Sequence, residues 1–360
     1  MQKKIIALAI AGLASTAAFA QTNVTIYGIA DASVSATTRL GSTNGQTQFN
    51  VNSGTLSTSR IGFKGVEDLG NGLKALFVLE YGLGIDGSNP IGYSTTSSAV
   101  ARQQFVGLTG GFGTAVAGHL QTTGLDFTVA ASALGGSSAL GAANVGIGGL
   151  QASSATHLVS ALYGGRQSNA LAYISPSFGG VTVAYNHARV TEAAGTTGTT
   201  DAHGDLLSAS YANGPITAGA IYTKVTLDGA NNNVKEWGLR AGYDFSVVKL
   251  QAAYQRAKSE ALTLGADSMW VVSATVPVGA KVGLIAEYAH TGVKSTAAED
   301  NVAAATVAAT YSLSKRTTAY AGVVAKRVQN DTNRNTITGT GANPYAADTN
   351  TFAVGLRHSF

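Results

Sequence analysis

The sequence predicts an all-β fold, a sixteen-stranded antiparallel β-barrel that spans a membrane. Only 12% of the 360 residues are charged, well below the roughly 25% of soluble domains. After residue 20 no apolar stretch approaches the roughly 18 residues of a helical span. Apolar residues instead alternate with polar ones along the chain, as in strands with one lipid-facing side.

Sixteen strands follow from this alternation: one near Val24, seven hairpins, and a last strand that ends at Phe360. The hairpins cover residues 60–83, 101–121, 166–186, 204–225, 235–256, 267–290 and 301–327. Longer polar loops fall near residues 36–56, 84–100, 122–160, 190–204, 227–234, 258–266, 291–300 and 328–349. An even strand number with alternating short turns and long loops is typical of bacterial outer-membrane barrels.

The hairpin at residues 60–83 shows the pattern clearly. Asn71-Gly72 predicts a tight turn. After the turn one face carries Leu73, Ala75, Phe77, Leu79 and Tyr81, and the opposite face carries Lys74 and Glu80. We expect the apolar face to meet lipid and the other to meet a lumen. The sheet must close, because unpaired backbone groups are too costly in hydrocarbon.

Aromatic residues near the predicted strand ends resemble the girdles of membrane barrels. They are Tyr81, Trp237, Tyr243, Phe245, Tyr254, Trp270 and Tyr288. Core packing in a soluble β-sandwich is the alternative, and the many strands and low charge disfavour it.

The last strand predicts how the barrel closes. One face carries Phe352, Val354, Leu356, His358 and Phe360. Phe360 is therefore in the lipid-facing row, at an interface that favours aromatic rings. We expect this strand to pair with the first strand near residues 24–31. His358 is the polar exception in the row, and the sequence offers no reason for it.

The first twenty residues have the pattern of a secretory signal peptide. Lys3 and Lys4 form a basic start, residues 5–14 are apolar, and residues 18–20 match the small-x-small cleavage pattern. We expect cleavage after Ala20, so that residues 21–360 form the barrel.

Charge and cysteine content exclude several functions. The formal net charge of +4 is too small for the electrostatic footprint of a nucleic-acid-binding protein, so we expect no nucleic-acid partner. The chain contains no Cys, which excludes disulfides and thiol chemistry.

With these features the sequence resembles the general porins of the Gram-negative outer membrane, the trimeric sixteen-stranded family of Neisseria-, Bordetella- and Comamonas-type bacteria. The stretches that carry the resemblance are VTIYGIAD, SRIGFKGVEDLGNGLKALFVLEYG, RQQFVGLTGGFGTAVAG, RQSNALAYISPSFGGVTVAYN and the terminal Phe360.

The resemblance implies a passive, weakly selective diffusion channel for ions and small hydrophilic solutes across the outer membrane. It implies a homotrimer in contact with outer-membrane lipid and lipopolysaccharide, and a Phe360 that the barrel-assembly machinery reads. It also implies that the loop at residues 122–160 folds into the lumen and faces a basic cluster. The matching motif positions of that cluster are Arg60, Arg102 and Arg166.

Alternation places the same three arginines toward the lumen. Arg60 is out of phase with Ile61 and Phe63, Arg102 with Phe105, and Arg166 with Leu171 and Tyr173. The lipid face would be unfavourable, since Arg there costs about 2–4 kcal/mol at mid-bilayer.

Two positions depart from the family pattern. His119 stands where the family often has a basic residue, and Asp126 is the sole carboxylate of the 122–160 stretch. A basic wall opposite a nearly neutral loop predicts a preference for anions. The same alternation predicts that further charged residues, both basic and acidic, face the lumen: Lys64, Lys74, Glu80, Arg240, Asp244, Lys281, Glu287 and Arg357.

Other chemistry finds weaker support. Residues 82–87 match G-x-G-x-x-G, but loop-forming residues follow where a dinucleotide site needs a helix, so we expect no cofactor.

Asp201, His203 and Asp205 could share a strand face as metal ligands. They are a weak candidate for a metal site, because no further ligands cluster beside them in the sequence. An adhesin that uses its long loops, or an outer-membrane hydrolase, remains as an alternative, and G-x-S-x-G is absent from the sequence.

Overall fold

The computed structural model describes residues 23–40, 47–87, 91, 101–148, 165–191, 201–227, 233–260, 265–294, 300–329 and 348–360. The predicted signal peptide, residues 1–20, lies outside the described residues. No helix in the described ranges is long and apolar enough to cross a membrane.

The described residues form seventeen strands and two short helices. The strands of the first half are β1 (Asn23–Leu40), β2 (Thr47–Ser53), β3 (Arg60–Gly70), β4 (Leu73–Gly82), β5 (Ala101–Gly110), β6 (Gly113–Gln121), β7 (Arg166–Ile174) and β8 (Val181–Thr191). The others are β9 (Ala202–Asn213), β10 (Ile216–Leu227), β11 (Val234–Asp244), β12 (Lys249–Ser259), β13 (Asp267–Val278), β14 (Val282–Val293), β15 (Asp300–Ser312), β16 (Thr317–Gln329) and β17 (Asp348–Ser359). Helices α1 (Thr123–Val129) and α2 (Ala142–Gly148) lie between β6 and β7.

These strands form one closed antiparallel barrel of sixteen positions, as the alternation predicts. Residues 32–38 of β1 pair with β2, and residues 23–29 of β1 pair with β3, so β2 and β3 together occupy one position. The barrel closes where β1 pairs with β17, from Ile29 opposite Ser359 to Leu40 opposite Asp348. Phe360 and Gly28 add two backbone hydrogen bonds of 3.1 Å.

The predicted loop at residues 36–56 is wrong in part, because β1 continues to Leu40 and β2 begins at Thr47. Polar side chains pair across these strands, and their polarity makes this segment resemble a loop in the sequence. The hydroxyls of Thr38 and Thr47 lie 2.8 Å apart, and the Asn52 amide donates to Ser35 Oγ over 2.7 Å.

The two faces of the barrel differ as the alternation predicts. Large apolar side chains project outward, and the polar row lies on the opposite, inner face. Outward examples are Val34, Leu79, Val106, Leu171, Leu239 and Val307. The Asn71-Gly72 turn is confirmed, with φ of 52° and 77° at its two central residues. His358, unexplained in the sequence, lies beside Thr317 on the neighbouring strand, where Nδ1 is 2.9 Å from Thr317 Oγ1.

Candidate pore constriction

Glu80 lies at the centre of a charged cluster on the inner wall. Arg102 Nε donates to Glu80 Oε1 over 2.8 Å, and Arg60 Nε lies 3.7 Å from Oε2. The hydroxyl of Tyr27 also donates to Oε2 over 3.1 Å. One carboxylate therefore sits between two guanidinium groups, so these three charged side chains carry a net positive charge.

Arg102 reaches Glu80 through a β-bulge. Gln103 lies opposite Glu80 and Ala101 lies opposite Tyr81, so Arg102 is an extra residue between them. Phe105 packs on the inner side against buried Leu120, so Phe105 is not the lipid-facing residue from which an inward Arg102 is predicted. Strict alternation would have placed Arg102 outward, and the bulge re-aims its side chain.

A glycine gives Tyr27 the space to reach Glu80. Gly62 lies opposite Tyr27 on β3, and a Cβ there would lie 2.4 Å from Tyr27 Cζ. The ring thus covers the bare backbone of Gly62. Lys64, two residues further, places its Nζ 5.2 Å from the centre of the same ring, within cation–π distance.

Arg166 connects the wall to the loop. Its guanidinium donates to Gln121 Oε1 over 3.4 Å, and the Gln121 amide donates to Asp126 Oδ1 over 2.6 Å. Asp126 lies on α1, and the charges of Arg166 and Arg240 both act on it. Burial between loop and wall raises the pKa of Asp126 to about 7, although the Gln121 hydrogen bond and the two arginines lower it.

Residues 122–148 lie inside the barrel, against the inner faces of several strands. Helix α1 contacts β8, β9 and β10, whereas α2 contacts β13 to β16. Glu287 on β14 accepts the backbone N–H groups of Leu134, over 3.1 Å, and Ala143, over 3.5 Å. Thr306 on β15 donates to the Leu140 carbonyl over 2.7 Å. The loop is thereby held across the lumen from one side of the wall to the other.

A second inward segment, residues 54–59 between β2 and β3, contacts this loop. Asp31 Oδ2 accepts the backbone N–H groups of Leu56, over 3.0 Å, and Ser57, over 2.6 Å. Tyr320 donates to Asp31 Oδ1 over 2.5 Å. On the loop side Ser137 donates to the Thr55 carbonyl over 2.7 Å. The segment lies between β2 and β3, which together occupy one position of the barrel. It can therefore project inward while both strands stay paired with β1.

A cavity of about 570 Å³ lies between the wall and the loop. Its lining includes Arg60, Lys64, Lys74, Glu80 and Asp126 of the predicted lumen residues. These five side chains therefore share one water-accessible space in which both signs of charge are present.

Three other charged residues that the alternation predicts in the lumen lie on the inner side, where they contact the inward segments. The Arg240 guanidinium lies 5.9 Å from the centre of the Phe127 ring on α1. Arg357 Nε donates to Ser57 Oγ over 3.0 Å. Glu287 anchors the loop, as described above. Arg240 and Glu287 therefore hold the 122–148 loop, and Arg357 holds the 54–59 segment.

Three predicted lumen residues lie elsewhere. His119 lies opposite Gln104 on the outer face, in phase with the exposed Ala115 and Ala117, and its Nδ1 is 3.0 Å from Ser168 Oγ. Asp244 closes the turn after β11 by accepting the Ser246 N–H over 2.8 Å. Lys281 lies over the outward Tyr311 ring, with Nζ 5.9 Å from its centre.

The weak metal candidate does not converge on one point. Asp201 Oδ2 lies 3.9 Å from Arg189, whereas Asp205 Oδ1 accepts from Tyr185 over 2.6 Å and lies 2.9 Å from His187 Nδ1. Within the described ranges no group of three or more His, Cys, Asp or Glu side chains is arranged to hold a metal ion. The glycine-rich stretch at 82–87 forms a turn, in which the Gly87 N–H donates to the Gly84 carbonyl over 3.4 Å.

Sequence reasoning missed Tyr27, Gln121 and Asp31, which position the charged groups and the inward segment. Asp31 had a usable signal, because a carboxylate in phase with Tyr27 and out of phase with the outward Val34 must face inward. Gln121 had none, since its direction depends on the register shift beside His119.

A closed barrel with an apolar outer face, a charged inner face and an inserted loop defines a transmembrane diffusion channel. The chain belongs to the Gram-negative porin family, whose family model matches residues 7–333. It is 32% identical over 330 residues to outer membrane porin protein 32 of Delftia acidovorans, across 89% of this chain and 88% of that protein. It is 26% identical over 383 residues to an outer membrane porin protein of Bordetella pertussis, across 89% and 93% of the two chains.

Solved structures share this fold. An anion-selective porin from Comamonas acidovorans superposes with a TM-score of 0.72, across 94% of this chain and 100% of that chain, at 23% identity. The protein is therefore a passive diffusion channel of the Gram-negative outer membrane.

Proposed function

We propose that the channel prefers anions weakly and that Arg60, Arg102 and Arg166 produce this preference at the constriction. The observation that carries the proposal is the charge balance around Glu80. Two arginines share that carboxylate, and Arg166 bonds to neutral Gln121. Positive potential in a narrow aqueous lumen raises the local concentration of anions. The anion-selective porin from Comamonas acidovorans, whose fold this chain shares, supports the same direction.

Reversal potentials in a planar bilayer test this proposal. Purified protein under a KCl gradient should give a reversal potential whose sign reports a Cl⁻ permeability above that of K⁺. A reversal potential of the opposite sign would contradict the proposal.

We further propose that the barrel acts as a pore without catalysis, rather than as a hydrolase or an adhesin. Liposomes that contain the protein should swell in small sugars, with no conversion of ester or peptide substrates. Substrate turnover, or liposomes that fail to swell, would overturn this reading.

We propose a homotrimer that contacts itself through β1 to β5 and β17. Exposed apolar side chains cover the outer face there, with Phe49 and Phe352 among aliphatic residues such as Val24, Ile26, Val34, Val51 and Val106. Paired Trp and Tyr rings instead cover β11 to β14, as expected of a face in contact with lipid. Membership of the porin family supports the trimer. Native mass spectrometry should give a trimeric mass for the wild-type protein and a lower mass for Val106→Arg.

We also propose a processed N-terminus, a lipid environment and an assembly signal for this chain. Residues 1–20 are a signal peptide removed after Ala20, and N-terminal sequencing of protein from outer membranes should begin at Gln21. Outer-membrane lipid and lipopolysaccharide surround the barrel, and the barrel-assembly machinery reads Phe360.

A further inference from the structure

Four cations lie together on the outer face of three neighbouring strands, and we call them the basic patch: Lys224, Lys235, Arg256 and Lys258. Lys224 on β10 lies directly opposite Lys235 on β11, and Lys235 lies directly opposite Lys258 on β12. Arg256 lies one outward position below Lys258, opposite Trp237. Directly opposite residues have Cβ atoms about 4.5–5.5 Å apart, so the three lysines form a continuous row.

The basic patch has fewer negative than positive groups around it. Glu260 accepts from Lys235 and from Asn233. Asp205 lies opposite Lys224, but its Oδ1 already accepts from Tyr185 and lies beside His187. Further along, Arg189 faces Asp201, and His203 lies near His187. In the described part of the chain neither Arg256 nor Lys258 forms an ion pair.

This arrangement is unfavourable without an external anion. Like charges directly opposite one another in a sheet destabilise the pairing, and here two such contacts follow in sequence. Arg256 and Lys258 are also exposed, at the edge of an outer surface whose adjoining part carries apolar side chains such as Trp237 and Leu239.

The position along the barrel indicates the kind of anion. The basic patch lies at the strand ends farthest from the short turns at 214–215 and 245–248. Immediately below it Trp237 and Tyr254 pack with ring centres 5.3 Å apart, and the exposed Leu239 follows. Aromatic rings mark the membrane interface, so the patch lies at headgroup height, with hydrocarbon-facing residues beneath it.

We propose that the basic patch binds the phosphorylated headgroup of an outer-leaflet lipid, whose acyl chains lie along the Trp237, Tyr254 and Leu239 surface. Arg256 and Lys258 supply the unpaired cations, and Arg offers the planar donor fork that suits phosphate. The proposal deepens the expected contact with outer-membrane lipid and rests on the outer-membrane location, but not on ion selectivity.

Native mass spectrometry of the intact detergent-solubilised protein, titrated with lipid A that carries two phosphates, tests the proposal. Each cation near the surface is worth about a fivefold change in affinity, so the double variant Arg256→Gln with Lys258→Gln should bind this lipid about 25-fold more weakly. Lipid A from which both phosphates have been removed should bind the wild-type protein and the variant equally. Lys315→Gln, an exposed lysine at the opposite end of the barrel, is the matched control and should bind like the wild type.

Several outcomes would overturn the proposal. They are unchanged lipid binding by the double variant, an equal loss in Lys315→Gln, competition by inorganic pyrophosphate at lipid-equivalent concentration, and loss of the trimer in lipid-free detergent. The first two exclude a specific site, the third indicates a free-phosphate site, and the fourth a protein interface. Single-channel conductance checks that the double variant folds. If it does not, Lys258→Gln with rescue by Lys258→Arg gives the same test.

Discussion

Among single residues, Glu80 decides how much positive charge the constriction keeps. Its carboxylate accepts from Tyr27 and Arg102 and lies 3.7 Å from Arg60. It therefore offsets one of two nearby arginines, and the hydrogen bond that Arg166 donates to Gln121 brings it no compensating charge. In a water-filled lumen such charges act over about 10 Å at 0.1 M salt, which covers a narrow passage.

Glu80→Gln and Arg102→Gln should shift ion preference in opposite directions. Removal of the carboxylate leaves Arg60 and Arg102 uncompensated and should raise the ratio of Cl⁻ to K⁺ permeability by about twofold, whereas Arg102→Gln should lower it by a similar factor. Reversal potentials measure both, with Lys315→Gln as a control that changes neither. A shift of the same sign in both variants would count against the cluster.

Asp126 should make the selectivity depend on pH. With a pKa of about 7, this carboxyl is mostly protonated at pH 5.5 and mostly ionised at pH 8.5. The lumen is more positive at the lower pH, so anion preference should fall as pH rises through 7. Asp126→Asn should keep the low-pH selectivity throughout, and a pH profile in the variant identical to that of the wild type would contradict the assignment.

At the scale of elements, the inserted loop depends on contacts that originate in the wall. Glu287→Ala removes the acceptor of two backbone N–H groups, each contact to a charged acceptor being worth about 1.5–3 kcal/mol. The loop should leave its position far more often, which single-channel recordings would show as frequent current steps. The melting temperature should change little, because the wall hydrogen bonds remain. Glu67→Gln, exposed at the short-turn end of β3, is the control. A Glu287→Ala channel without additional current steps would disprove the anchoring role of Glu287.

At the junction of β1 and β17, Phe360 has two roles: its backbone closes the barrel, and its side chain is the proposed assembly signal. Its backbone completes the pairing with Gly28, and its ring occupies the space that a Cβ on Gly28 would fill, 2.4 Å from Phe360 Cζ. Phe360→Ala keeps the backbone pairing, so protein refolded in detergent should conduct normally. In cells its folded yield should drop several-fold, while Phe352→Ala, an exposed ring on the same strand, should not. Equal yields for both variants would refute a role as an assembly signal.

The sequence predicts the strands well and the constriction only in part, for a physical reason. Alternation records which side chains meet lipid, so β3 to β17 and the Asn71-Gly72 turn follow from it. The β2 strand carries large apolar residues only at Phe49 and Val51, both exposed on the outer face, and so short an alternation among polar residues does not distinguish it from a loop in the sequence. The bulge at Arg102 breaks the alternation locally, so strict alternation would place Arg102 outward, whereas His119 follows the alternation of β6 and therefore lies on the outer face rather than in the lumen.

At the scale of the whole molecule, function follows from closure and from the difference between the two faces. Closure pairs the backbone of every wall strand, which hydrocarbon requires. The outer face provides an apolar band with Trp and Tyr rings at its edges, and the inner face provides the charges. The two inward segments, residues 54–59 and 122–148, then narrow a lumen that a barrel of this size would otherwise leave open.

The most direct test of this account is the reversal potential of purified wild-type channels beside the triple variant Arg60→Gln, Arg102→Gln, Arg166→Gln in a KCl gradient. The wild type should prefer Cl⁻, and the variant, in which Lys64 and Lys74 balance Glu80 and Asp126 in the lumen, should lose that preference. An unchanged Cl⁻ preference in a variant that still conducts would show that the selectivity arises elsewhere in the barrel.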